Sequence, residues 1–344
     1  MVLGLSIGLI LIAGTIIILV LIHNRPAKPV RLTQPRVSSQ PKATTPALDP
    51  LTIEAMRSRT YPGSTITTEQ LLGDQGGYTN MIISYQSDGY KIYALESTPN
   101  GAMPSGGWPV IILDHGYINP ATYQTNGPEY QQFISTFAKA GFMVIKPDFR
   151  GHGKSEGAPE GGHFSPVYAY DNLNLISSLK QYPSVNSHRI GLFAHSMGGH
   201  TALRTIVVSK DIKASVFMAG VVGSMYDIFY NWPNSPAPND QPSALVQGKK
   251  QALIAKYGDP KANPTFWNSA SAINYVGFVT GPVQVNQDIN DNVVPKIFAD
   301  HLVTALQNAN KAVQYYTYPG DDHQFIHNRT LILQRAVAFY QSNL

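Results

Sequence analysis

The chain opens on an unbroken apolar run and only later settles into alternating patterns. Val2 to Ile22 carries no charge over 21 residues and is interrupted only by Gly4, Ser6, Gly8, Gly14 and Thr15. Such a run, apolar on every side, reaches across a hydrocarbon layer of about 30 Å as a helix and predicts a transmembrane anchor over residues 1–22. A cleaved signal peptide would want basic residues ahead of the run and a small-residue cleavage site. Neither is evident, so the segment reads as uncleaved. From His23 to Pro50 the pattern is lost: Pro26, Pro29, Pro35, Pro41, Pro46 and Pro50 stand among Ser, Thr and Gln. That composition predicts an extended, solvated linker over 23–50.

From residue 51 on, short apolar runs alternate with stretches of helical period. Tyr78–Gln86 and Tyr90–Glu96 flank Ser87-Asp88-Gly89 and predict a hairpin, because Asp-Gly tolerates the positive φ that a tight turn demands. Val110–Asp114, Phe142–Lys146, Arg189–Ala194, Ala214–Met218, Val283–Val285 and Val313–Tyr318 are short runs that predict buried strands. Between them, helices are predicted at Tyr130–Lys139, Tyr168–Lys180 (Leu173, Ile176 and Leu179 on one face), Met197–Val208, Val294–Gln307 and Arg329–Tyr340. Strand–helix alternation of this kind predicts an α/β fold: a mostly parallel eight-stranded sheet, helices on both faces, and an antiparallel N-terminal hairpin. One stretch breaks the rhythm. Residues 224–280 show no clear strand but hold Tyr226, Phe229, Tyr230, Trp232, Tyr257, Phe266 and Trp267. The expectation is a lid-like insertion in a single catalytic domain over 51–344, with Trp232 and Trp267 shaping a substrate pocket.

Composition narrows the class. Charged residues make up 13% of the 344, about half the usual share. The net charge of +4 comes from the linker: removing Arg25, Lys28, Arg31, Arg36 and Lys42 leaves −1 for the rest. No basic surface for nucleic acid is expected. The absence of cysteine excludes disulfides, thiol catalysis and Cys-ligated metal. His115, His152, His163, His195 and His200 lack i, i+4 pairing with a carboxylate, so neither a metal nor another cofactor is expected. The membrane side is pulled two ways. The basic flank after the span favours the cytoplasm, whereas the low-charge, Cys-free body rich in Tyr, Asn, Ser and Thr resembles an exported enzyme. The extracytoplasmic side is the expectation carried forward.

The candidate chemistry sits at strand ends. In Leu192-Phe193-Ala194-His195-Ser196-Met197-Gly198-Gly199 a strand runs into a serine and a helix starts at once, the geometry of a nucleophile elbow. Gly198 supplies the small residue this turn needs on one side, and Ala194 replaces the glycine expected on the other. A serine hydroxyl needs a base, and the base an acid to orient it. Gln287–Pro295 and Tyr318–Phe325 follow later strands and offer Asp291 as acid and His323 as base. Asp288 is the rival acid; Asp321 and Asp322 read as turn formers, and His327 as a competing base of low merit. An oxyanion hole requires two backbone donors. The amides of Met197 and Tyr117, the latter on the loop Asp114–Pro120, are the candidates. The loop Lys146–Gly157 reads as structural, with Asp148 and Arg150 fixing its shape.

The segments DHGYINP, KPDFRGHGKSEG, GLFAHSMGGH, NDNVVP and YPGDDHQF together resemble the α/β-hydrolases of the prolyl oligopeptidase-like serine hydrolase group. The resemblance runs from about Tyr78 to Leu344. It implies the α/β-hydrolase fold, with Ser196 as nucleophile, Asp291 as acid, His323 as base and Tyr117 and Met197 as oxyanion donors. Full peptidases of the group carry a β-propeller ahead of the hydrolase domain, and about 30 residues between linker and hairpin leave no room for one. No paired glutamates for a peptide amino terminus are evident either. The expectation is therefore a membrane-anchored serine hydrolase acting on a small-molecule ester or short peptide, with the lipid bilayer a partner through residues 2–22. A serine peptidase, an acyltransferase and a catalytically silent tethered binding module are the alternatives.

Overall fold

In the computed structural model the described residues are 47–160, 162–232 and 243–344. The expected anchor at 1–22 and nearly all of the 23–50 linker lie outside them, as do residues 233–242 of the insertion. Among the described residues no helix is long and apolar enough to cross a membrane.

The sheet is built from β1 (Thr67–Asp74), β2 (Tyr78–Ser87), β3 (Tyr90–Pro99), β4 (Trp108–Asp114), β5 (Met143–Pro147), β6 (Val185–His195), β7 (Ile212–Met218), β8 (Val283–Asp288) and β9 (Val313–Tyr318). Their order is β1-β2-β3-β5-β4-β6-β7-β8-β9. β1, β2 and β3 meander antiparallel, β3 meets β5 antiparallel, and the six strands from β4 to β9 are parallel. The β2–β3 hairpin turns on Asp88 (φ 53°) and Gly89 (φ 82°), both in the left-handed region that a two-residue turn requires.

Among the described residues the sheet has nine strands where the pattern predicts eight. The added one, β1, is an edge strand whose residues are mostly exposed. Strand patterning is written by burial of one face, and Thr-Thr-Glu-Gln-Leu-Leu-Gly-Asp buries too little to show it.

The central strands sort their side chains between two cores because successive residues point to opposite faces. Val110 and Ile112 of β4 and Leu192 of β6 enter one core, shared with Ile53 and Met56 of α1 (Ile53–Ser58) and Leu173 and Ile176 of α3 (Val167–Leu179). Leu203 and Ile206 of α4 (Gly198–Val208) and Phe298 and Leu302 of α8 (Lys296–Asn308) complete it. Ile111, Leu113 and Phe193 enter the other, against Phe133 and Phe137 of α2 (Gln131–Lys139) and Leu333 and Tyr340 of α9 (Arg329–Asn343). The insertion is helical: α5 (Met225–Tyr230), α6 (Ser243–Tyr257), α7 (Pro264–Ser269) and a 3-10 turn at Ala272–Phe278. Trp267, Ala270, Ile273 and Val276 tie it into the first core. The buried Arg204 of α4 fastens it further, donating to the carbonyls of Ala270 (2.8 Å) and Leu51 (3.1 Å).

This topology decides where a site can form. The chain leaves β4 towards α2 on one face and leaves β6, its neighbour in the sheet, towards α4 on the other. Where adjacent parallel strands send their connections to opposite faces, their carboxyl ends border a crevice.

Candidate active site

Ser196 stands at that crevice, between the end of β6 and the start of α4, with φ 53°. An L-residue other than Asn or Asp seldom adopts this conformation, so the surroundings must hold it there. They do so through the backbone. Ser196 N–H donates to the Met218 carbonyl (3.2 Å), and the Ser196 carbonyl accepts from Gly199 and Val221 (both 2.9 Å). Gly198 explains the small residue after the serine: a Cβ there would stand 2.3 Å from the Asp114 carbonyl oxygen. At the other small position, Ala194 fits completely buried in the core.

His323 lies on the loop after β9 and Asp291 on the loop after β8. His323 Nε2 is 2.8 Å from Ser196 Oγ, and His323 Nδ1 is 2.9 Å from Asp291 Oδ2. A carboxylate only accepts, so Nδ1 carries the imidazole proton and Nε2 is left to accept from the serine hydroxyl. Asp291 is itself anchored. Its Oδ1 accepts from the amides of Val293 (2.8 Å) and Val294 (2.9 Å), and Oδ2 accepts also from Gln287 Nε2 (3.1 Å). Burial pushes this carboxyl up, but the contact and charge of His323 together with the two amides outweigh it and hold it below the usual value.

Asp288 does other work. It is buried and accepts from the amides of Asn290 (2.9 Å) and Asp321 (3.2 Å), joining the two loops that carry Asp291 and His323. Asp321 accepts from the amides of Asp322 (3.0 Å), His327 (3.2 Å) and Asn328 (2.8 Å), and Asp322 from those of Gln324 (2.9 Å) and Ile326 (3.3 Å). Both shape the turn ahead of α9.

Gly116, Tyr117 and Ile118 form one wall of a cleft of about 520 Å³. Ser196, His195 and His323 also line it, with Phe133, Asn292 and Val293 further along and Glu129 and Arg329 as charged groups. Gly116 packs against the serine: an added Cβ would sit 3.0 Å from Ser196 Cβ and 3.0 Å from Tyr130 Oη. The next residue, Tyr117, therefore follows directly on a backbone in contact with Ser196, and Met197, the residue after the serine, is the N-cap of α4. The segment after Tyr117 is pinned by Asp148, which accepts from Tyr123 Oη (2.7 Å) and from the Thr125 hydroxyl. Arg150 pairs with buried Asp171 through Nη2 (2.6 Å) and Nε (3.1 Å), fixing the loop after β5.

The two tryptophans are both buried. Neither lines the cleft, and neither does any described residue of 224–280. Trp267 is 2% exposed, donates to the Gly258 carbonyl (2.9 Å) and packs on Phe229, Tyr257 and Phe266. Trp232 donates to the Val293 carbonyl (2.7 Å) and packs on Phe298. The described aromatic side chains of the insertion pack its own core and, through Trp232, the Asp291 loop.

Two groups at the site escape sequence reasoning. Tyr130 and His195 are buried beside Ser196 and share a hydrogen bond (Oη to Nδ1, 2.8 Å). A polar His at the end of an otherwise apolar strand is the one signal the sequence carries for His195; nothing local marks Tyr130. Among the described residues no three potential metal ligands cluster.

Residues 110–241 match the family profile described as serine aminopeptidase, S33. Among curated proteins, the chain is 29% identical over 109 residues to an uncharacterized 31.7 kDa protein from the traX-finO intergenic region of Escherichia coli, covering 31% of this chain and 36% of that one. It is 23% identical over 257 residues to the uncharacterized peptidase YtmA of Bacillus subtilis, covering 73% of this chain and 90% of that one. The chain spans about a third of the length of the first two curated relatives it matches. Among solved structures, an acetyl xylan esterase from a Paenibacillus species aligns with a TM-score of 0.61 at 16% identity, over 85% of this chain and 92% of that one. A puromycin-hydrolyzing peptidase from Mycobacterium tuberculosis aligns with a TM-score of 0.59 at 20% identity, over 81% of this chain and 40% of that one.

Proposed function

We propose that this serine hydrolase of the α/β-hydrolase superfamily cleaves small carboxylic esters through an acyl-enzyme on Ser196. The observation that carries the reading is the unbroken sequence of short contacts, Asp291 to His323 (2.9 Å) and His323 to Ser196 Oγ (2.8 Å), ending at a serine that lines a cleft. In the first step Ser196 Oγ attacks the ester carbonyl carbon while His323 Nε2 takes the hydroxyl proton. Asp291 stabilises the resulting imidazolium and keeps the imidazole in the tautomer that can accept. The carbonyl oxygen gains a negative charge, and the backbone N–H groups of Met197 and Tyr117 are the donors assigned to it. The tetrahedral adduct collapses as His323 returns its proton to the departing alcohol. Water, deprotonated by the same nitrogen, then attacks the acyl-enzyme and releases the acid and Ser196.

An ester is favoured over a peptide for one specific reason. The sequence shows no evident pair of glutamates to capture a peptide amino terminus. The test is a substrate pair. Turnover of 4-nitrophenyl acetate, lost in Ser196→Ala, with no release of aminomethylcoumarin from aminoacyl amides, is the expected pattern. Amide turnover matching ester turnover would reassign the protein as a peptidase.

We further infer that residues 2–22 anchor the enzyme in a bilayer and leave residues 51–344 on the extracytoplasmic side. The uncharged 21-residue run supports the anchor, and the low-charge, Cys-free body supports the side. Retention of the full chain in membranes after alkaline carbonate washing, with external protease removing the hydrolase domain from spheroplasts, is the expected outcome. Release by carbonate would refute the anchor.

A further inference from the structure

Beneath the serine runs a second set of hydrogen bonds that the acyl-transfer steps do not use. Gly116 N–H donates to Tyr130 Oη (2.6 Å), Tyr130 Oη lies 2.8 Å from His195 Nδ1, and His195 Nε2 lies 3.2 Å from the backbone carbonyl of His323. Every member is buried. The partners settle where each proton sits. A carbonyl only accepts, so His195 Nε2 must carry the proton. A neutral imidazole has only one, so Nδ1 is bare and must accept from the Tyr130 hydroxyl. That hydroxyl, having given its proton to Nδ1, receives from Gly116. All the bonds run one way, from the loop that precedes Tyr117 to the residue that holds the base. Burial, and then the charge of His323, push the His195 imidazole down to about 3, so it stays neutral throughout the working pH range.

The two ends of this chain are separate loops, after β4 and after β9, and both reach Ser196. We propose that Tyr130 and His195 are positioning residues that fix the spacing between the oxyanion loop and His323 through a hydrogen-bond chain of single polarity. The proposal rests on the reading of Ser196 and His323 as the reacting pair. Removing the Tyr130 hydroxyl strands the Gly116 amide and leaves His195 Nδ1 without its donor, so the two loops lose their common brace. Loss of that brace acts on the transition state more than on substrate binding, because the alignment of donor, nucleophile and base is what degrades.

The experiment combines kinetics with nitrogen spectra. In Tyr130→Phe and in His195→Gln, acylation by 4-nitrophenyl acetate is expected to slow by about ten- to a hundredfold, with KM within about twofold. Gln retains a donor towards the His323 carbonyl but offers Tyr130 no bare ring nitrogen. The double variant is expected to be no slower than the slower single one, since both changes break the same chain. In histidine-15N-labelled wild-type protein, His195 is expected to show a bare Nδ1 and a protonated Nε2, and Tyr130→Phe is expected to lose that single tautomer. Singles within about twofold of wild type, losses that multiply in the double variant, or a protonated Nδ1 in the wild type would overturn the proposal. An inert wild type would instead defeat the reading of the site, and the nitrogen spectrum would then judge the chain alone.

Discussion

Replacing Asp291 by Asn removes one charge and keeps the shape of the side chain, and the contacts around it dictate how the amide must sit. The carboxylate takes four donors: the amides of Val293 and Val294 on Oδ1, and His323 Nδ1 and Gln287 Nε2 on Oδ2. An asparagine has one oxygen. If that oxygen faces His323, its NH2 group confronts two backbone amides that cannot move, and each unsatisfied donor costs about 1–3 kcal/mol. If it faces Val293 and Val294, only the Gln287 side chain and the imidazole have to adjust. The second orientation wins. It turns an NH2 group towards His323 Nδ1, which must then accept, so the ring proton moves to Nε2 and points at Ser196 Oγ. The base can no longer take the serine proton. The expected loss in kcat is about 10⁴-fold, about 5 kcal/mol, with KM within about threefold. Steady-state hydrolysis of 4-nitrophenyl acetate at pH near 8 measures it, and circular dichroism checks that the fold is kept. An Asp291→Asn protein that retains more than about a tenth of wild-type kcat would refute the reasoning.

Other predictions follow from the same contacts. Asp114 is completely buried and pushed up to about 8 by that burial, against one hydrogen bond from Asn172. Its folded value lies above the unfolded one, so the stability it contributes is complete below about pH 4 and drains away as the pH rises through about 8. Asp114→Asn should flatten the melting temperature over that window, and a decline as steep as that of wild type would count against the assignment. Asp291 has the opposite sign: its carboxyl is held low, so its contribution is present above the ordinary carboxylate value and is lost as acid is added. Asp291→Asn should therefore narrow the stability gap to wild type in urea titrations below about pH 4. Gly116→Ala places a methyl 3.0 Å from Ser196 Cβ and should reduce kcat/KM by about tenfold or more with the far-UV spectrum unchanged. Trp267→Ala should lower stability by about 3–5 kcal/mol in denaturant melts yet leave the acyl chain-length preference as it was.

The sheet was legible wherever burial wrote a pattern. β4, β5, β7 and the second half of β6 are largely apolar because they are buried, and their positions follow from runs such as Val110–Asp114. The elbow was legible for a local reason: a strand that ends on a serine and is followed at once by small residues and a helix has few other readings. Asp291 and His323 could be proposed because loops at the carboxyl ends of parallel strands converge. What stayed hidden was either unpatterned or non-local. β1 faces solvent and shows no alternation. Tyr226 to Trp267 announced an aromatic cluster, but aromatic side chains pack a small helical core as readily as they line a pocket, and only the contacts show that Trp267 packs on Phe229 and Phe266. The division of labour between Asp288 and Asp291 depends on which carboxylate faces the imidazole, with only two residues separating them. The Tyr130–His195 pair is 65 positions apart, and its role lies in proton direction, which no local spacing encodes.

The account stands on one alcohol being reactive. A fluorophosphonate probe followed by intact-mass and peptide mapping measures this directly. The wild-type chain is predicted to take up a single adduct on the peptide containing Ser196, and Ser196→Ala to take up none. An unlabelled wild type, or an adduct that persists in Ser196→Ala, would contradict it.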